Sequence, residues 1–166
     1  MAHDGGSPFS VSKRANIMNT VRNHRELGPL LKGHARVVLA EPHIASTTPG
    51  EAIVAVYDYD KDRTLVAHVN KKGQITSLDE APAQFQLSDE EEKEAESLAR
   101  ADKRVKSFLR RRPMNPLTRL YFPRHESRHR HAIVFLRPNT SERNYAIVDL
   151  SARRVADVIS LTDFAG

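Results

Sequence analysis

The sequence predicts an α+β protein made of two tandem units, each one helix packed on a bent antiparallel four-stranded sheet. The units are expected over residues 10–82 and 83–166, behind a disordered segment at residues 1–9. Three observations carry this. A chain of 166 residues suits one ordinary domain or two very small ones. A helix-period segment followed by four short strand-period segments occurs twice. The two passages also keep register: at an offset of 80, Ala52-Ile53-Val54 meets Ala132-Ile133-Val134, Arg63 meets Arg143, Ile75 meets Val155 and Leu78 meets Val158, and Pro42 meets Pro123 at an offset of 81. A match in both element order and spacing reads as an internal duplication.

The elements follow in order. Val11, Ala15, Met18 and Val21 recur at three- and four-residue steps from Ser10 to about His24, one face of a helix that Gly28-Pro29 is expected to stop. "ARVVLAEPHI" reads as a strand, and "AIVAVYDY", "TLVAHVN" and "QITSL" as three more, turned at Asp60-Lys61-Asp62 and Lys71-Lys72-Gly73. Ser88 and Glu91 have the spacing of a capping box and open the second helix. Its apolar stripe is Ala95, Leu98, Ala99, Val105, Phe108 and Leu109, with Asp89 to Glu92 crowding the first turn, Arg110, Arg111 and Arg112 the last, and Pro113 ending it. "LTRLYFP", "AIVFLR", "NYAIVDL" and "RVADVISL" supply four further strands.

Composition narrows the function classes. The chain has no Cys, which excludes disulfides, thiolate metal sites and cysteine nucleophiles. No apolar run approaches the roughly 18 residues a membrane span needs. "MAHDGGSPFSVSKR" lacks the charged head and apolar stretch of a signal peptide, so the expected location is cytoplasmic, with no membrane partner. The net charge of +5 is unevenly spread: Arg100 to Arg143 holds 13 Lys/Arg against 3 Asp/Glu. Such a block is a candidate surface for an acidic protein or for nucleic acid.

The stretches "LSDEEEKEAESL", "RLYFP", "RHAIVFL" and "NYAIVDLSARRVADV" resemble the small non-catalytic domains at the N-terminal end of copper amine oxidases. Leu39, Glu41 and Pro42 match that family's L-x-E-P strand end, and Tyr145 to Leu150 its "VVDL" hairpin. The resemblance covers residues 10–164 and implies a tandem of cystatin-like domains, a helix wrapped by an antiparallel sheet. It also implies a stand-alone interaction module whose partner is an acidic protein, an amine oxidase-like polypeptide or a second copy joined through sheet edges. The family's catalytic domain has no counterpart in these residues. Its cofactor tyrosine lies in T-x-x-N-Y-[DE]-Y, whereas "TSERNYAI" has one spacer residue too many and Ala146-Ile147 where an acid and a tyrosine belong. No cofactor is therefore expected, and Tyr145 reads as a strand residue.

The candidate partner or anion-binding residues are Lys103, Arg104, Arg110, Arg111, Arg112, Arg119, Arg124, Arg128 and Arg130, with Lys106 among them on the helix. Phe108, Tyr121 and Phe122 read as core rather than as a stacking platform. A metal-site candidate is His125, His129 and His131, since His-x-His on a strand puts both rings on one face; the neighbouring Arg124, Arg128 and Arg130 oppose a cation. Met1-Ala2-His3 has the spacing of an N-terminal Cu(II) or Ni(II) chelate. Catalysis is not expected, although Glu126 with His125 or His129, and Asp58 with His68, are formal acid–base pairs.

Overall fold

A computed structural model describes residues 10–125 and 127–160. The disordered segment expected at residues 1–9, the Met1-Ala2-His3 chelate and Glu126 lie outside the described residues. The protein is α+β, with two four-stranded antiparallel sheets, and it divides into two compact units between Phe85 and Gln86.

The first unit opens with α1 (Val11–Asn23), capped by the Ser10 hydroxyl, which accepts from the Lys13 amide. Its buried face is Ile17 and Val21, spaced i, i+4. Val11 and Ala15 are exposed and Met18 is half-buried, so Val21 alone of the predicted stripe is buried, joined by Ile17, which the stripe did not include. The helix ends at Asn23, before the expected stop. Gly28 and Pro29 instead lie in the first turn of a second helix, α2 (Leu27–Lys32), where the amide that proline lacks would have no intrahelical partner anyway. The sheet is a meander of β1 (Ala35–Pro42), β2 (Ala52–Asp58), β3 (Arg63–Val69) and β4 (Ile75–Ala81). Ile17, Val21 and Leu27 pack with Ala52, Val54, Val56, Leu65, Ala67 and Val69 into the core of this unit.

The second unit has α3 (Asp89–Ala101), α4 (Lys103–Leu109), β5 (Leu117–Tyr121), β6 (His131–Phe135), β7 (Asn144–Asp149) and β8 (Arg154–Ser160). The Ser88–Glu91 capping box is present in both directions. The long helix that the pattern predicts is broken at Asp102. Its backbone is extended (φ −72°, ψ 132°), and its carboxylate accepts from the amides of Arg104 and Val105, starting a new helix. A short acidic side chain that captures the backbone ahead of it competes with helix continuation. Arg104 is the first cause that lowers the Asp102 pKa, through its side-chain hydrogen bond; the amides of Arg104 and Val105 add to it, and burial opposes it. The helix α3 lies against all four strands, and Ala95, Ala99, Val105 and Leu109 are buried along with Ala132, Val134, Leu136, Ala146 and Val148.

The two meanders share a detail finer than element order. Pairing of β3 with β4 slips between His68 and Val69, passing over Thr76, and pairing of β7 with β8 slips between Ile147 and Val148, passing over Ala156. Ala52 faces Val69, whereas Ala132 faces Val148, so β7 stands one residue away from the predicted offset of 80. Arg63 and Arg143 are consequently not equivalent. Nor are Pro42 and Pro123: Pro42 faces Ala52 within β1, but the β5 residue facing Ala132 is Leu120, and Pro123 lies beyond the strand.

Candidate functional site

The basic block of the second unit separates into structural and solvent-facing cations. Arg130 belongs to the first group and corrects the surface role expected of it. Its side chain is fully buried, with Nε donating to Glu91 Oε2 at 2.6 Å, and Nη2 to Glu91 Oε1 at 3.0 Å and to the Gln86 carbonyl at 3.1 Å. Glu91 also accepts from the Ser88 amide, so one carboxylate both caps α3 and neutralises the guanidinium at the start of β6. A planar guanidinium suits this two-pronged pairing, and burial is tolerable only because both charges are paired. Arg112 is likewise committed. Its Nε and Nη2 donate to the carbonyls of Leu109 and Phe108, closing the end of α4, and its Nη1 pairs with Glu142.

The solvent-facing group is Lys103, Arg104, Lys106, Arg110, Arg111, Arg119, Arg124 and Arg128, all exposed. Lys103, Lys106 and Arg110 share the solvent side of α4, opposite Val105 and Leu109. Arg104 is held by Asp102 and the Val155 carbonyl, and Arg119 donates to the Thr118 carbonyl. Arg110 and Arg111 were expected in the last turn of the helix. They lie past its end with φ of 49° and 69°, in the left-handed region. Phe122, expected in the core, is 64% exposed between Arg119 and Arg124.

The histidines do something other than the expected chelation. His129 and His131 stack at 6.3 Å, and both face Asp149, which β7 places opposite His131. His129 Nδ1 lies 2.7 Å from Asp149 Oδ2, and His131 Nε2 lies 3.7 Å from it; His131 Nδ1 donates to the His129 carbonyl at 3.0 Å. The rings are thus spent on a carboxylate, and His125 is exposed. Among the described residues, no group of three His, Asp or Glu side chains is set to hold a metal ion. The other formal pair is not brought together either: Asp58 is buried on Arg63 and the β2–β3 turn amides, whereas His68 sits toward the far end of β3, opposite Ile53.

Burial would raise the pKa of Asp149, but the Ala152 amide, the His129 hydrogen bond, and the charges of His129 and His131 together bring it below the usual carboxylate value. A depressed carboxyl stabilises the fold fully above its unfolded value, about 3.9, and loses that contribution as pH falls through the native value. The difference in urea midpoint between the wild type and Asp149→Asn is therefore expected to be largest above about pH 5 and to shrink on acidification. A gap that widens toward low pH would contradict this sign.

Sequence reasoning did not single out Glu142 and Asn144. Glu142 pairs with Arg112 and lies 3.5 Å from Arg137. Asn144 is buried at the start of β7, and among the described residues nothing donates to its side-chain oxygen. Among the described residues, no helix is long and apolar enough to cross a membrane. No protein-family model matches the chain, and no curated protein matches it.

Proposed function

We propose that the chain is a non-catalytic binding module: a duplicated pair of cystatin-like units resembling the N-terminal domains of copper amine oxidases, the second of which docks an acidic protein segment. The recurrence of helices followed by a four-stranded meander, with a slip at matching places in β3–β4 and β7–β8, supports the duplication. The observation that carries the docking surface is the Arg110-Arg111 pair. Two consecutive non-glycine residues in the left-handed region cost about 1–2 kcal/mol each, and glycine or asparagine would sit there more cheaply. Keeping exposed cations at that cost is explained if the cations are used. The partner surface is then Lys103, Lys106, Arg110, Arg111, Arg119, Arg124 and Arg128, with Arg130 and Arg112 removed from it, and Arg104 too, which Asp102 and the Val155 carbonyl hold.

A second reading, binding of a nucleic acid, is favoured by the exposure of Phe122 between Arg119 and Arg124, since a bare ring among cations can stack on a base. Fluorescence anisotropy separates the two, using a labelled Asp/Glu-rich peptide and a single-stranded oligonucleotide of matched length at low and moderate salt. The expected result is peptide binding that falls about tenfold, worth roughly 1.4 kcal/mol, when Lys103, Lys106, Arg110 and Arg111 are all changed to Ser. Preferential binding of the oligonucleotide with a steep salt dependence makes the polyanion reading correct. Binding of neither probe leaves the cations a role in solubility alone, and the proposal fails.

A further inference from the structure

In the second unit, α4, the β6–β7 connection and the end of β8 border a cleft of about 580 Å³ lined by Ser107, Phe108, Arg110, Arg112, Glu142 and Asn144. Its chemistry is asymmetric. Arg110 reaches it from the strained position after α4 and is exposed. Arg112 is occupied by two carbonyls and Glu142, so it shapes the wall rather than offering a free donor. Asn144 is only 9% exposed, and among the described residues its Oδ1 has no hydrogen-bond donor, whereas Glu142 is engaged by Arg112 and Arg137. Asn144 has the strand parity of Ala146 and Val148, both fully buried, and it lines the cleft together with Ser107 and Phe108 of α4.

The first unit supplies an internal control. Leu65 faces Val56 on β2 and Glu80 on β4. Asn144 holds the corresponding place, with its carbonyl accepting from the Leu136 amide and Ser160 facing it on β8. Leu65 is a core residue of its unit. The same position in the second unit therefore accommodates a buried leucine in principle, yet it carries a polar side chain whose oxygen is left unsatisfied. A buried acceptor without a donor destabilises the folded state, and each such group in a native protein calls for an explanation, a bound partner among them.

We propose that this cleft binds a small phosphate or carboxylate carrying a hydroxyl a few bonds from the anionic group. The anion sits on the Arg110 guanidinium, and the hydroxyl donates to Asn144 Oδ1. The site shares Arg110 with the docking surface but not Asn144, so a hydroxyl preference lost in Asn144→Leu tests the cleft apart from peptide binding.

The test is isothermal titration of the full chain with glycerol 3-phosphate, which has the hydroxyl donors, and with methyl phosphate, which lacks them. Glycerol 3-phosphate is expected to bind at least tenfold more tightly, because a site built around a hydroxyl discriminates against its absence. Arg110→Ser weakens both ligands about tenfold. Asn144→Leu abolishes the preference between them and, in the same protein, raises the melting temperature by about 2–4 °C, as removal of an unpaired buried acceptor requires. Absence of binding by both probes at millimolar concentration overturns the proposal. So does a preference that survives Asn144→Leu, or a melting temperature that falls in that variant, since Asn144 would then serve the fold rather than a ligand.

Discussion

Replacing Arg130 with Met is expected to cost the second unit about 3–5 kcal/mol, the penalty for leaving a buried charge without its partner. Glu91 would keep its carboxylate in a fully buried site after losing donors at 2.6 and 3.0 Å. The same carboxylate caps α3 through the Ser88 amide, so the damage extends to the helix start. Against a total stability of about 5–15 kcal/mol for a domain, this is a large fraction of the margin. Urea denaturation followed by circular dichroism should show a large fall in the midpoint of the affected transition. The double variant Arg130→Met with Glu91→Leu should recover part of it, because an apolar pair of similar volume tolerates burial without pairing, while the lost cap on α3 leaves a deficit of about 1 kcal/mol. A single-variant cost below about 1 kcal/mol, the range of an exposed ion pair, would show that the two charges are solvated in solution.

In the first unit, Leu27→Ala is expected to cost about 2–5 kcal/mol, the range for truncating a fully buried leucine. Leu27 is 0% exposed and joins Val21 of α1 to the β2 and β3 side chains in one core. Leu30 is only partly buried against that core, and Leu30→Ala should cost clearly less. Equal costs would mean that α2 is not seated through Leu27. Hydrogen exchange of the β2 and β3 amides gives a second readout, since loosening of this core exposes their ladder.

The strands were legible because their side-chain alternation and their turns are local. In "HAIVF", Ala132 and Val134 are both fully buried, and Gly73 takes the positive φ that its turn requires. The Ser88–Glu91 capping box was legible for the same reason. What escaped the sequence depends on competition between near-equal local options or on distant partners. At Asp102 the run of helix formers outweighs one polar residue in any pattern count, yet its carboxylate satisfies two amides and divides the helix. Pro29 looked like a terminator, but it occupies a first turn, where it is tolerated. Arg130 stood in a string of exposed cations. Only the approach of Glu91, 39 positions earlier in the chain, makes it a buried residue. Asn144 gave no signal by itself. Its meaning comes from the leucine at the matching strand position of the other unit, and that match depends on a one-residue shift that the repeat alignment did not contain.

Each sheet pairs only strands that are neighbours in the chain, in the orders β1-β2-β3-β4 and β5-β6-β7-β8. Every hairpin therefore closes a short loop, and no strand waits for a distant stretch of polypeptide before it can pair. Low contact order of this kind makes for fast folding and brief exposure of unpaired edges. On the ribosome, where domains form as their residues emerge, the first meander has all its pairing partners once Ala81 is clear of the exit tunnel. The finished meander keeps only β1 and β4 as free edges, so a later strand meets filled ladders at β2 and β3 and can mispair only at those two edges.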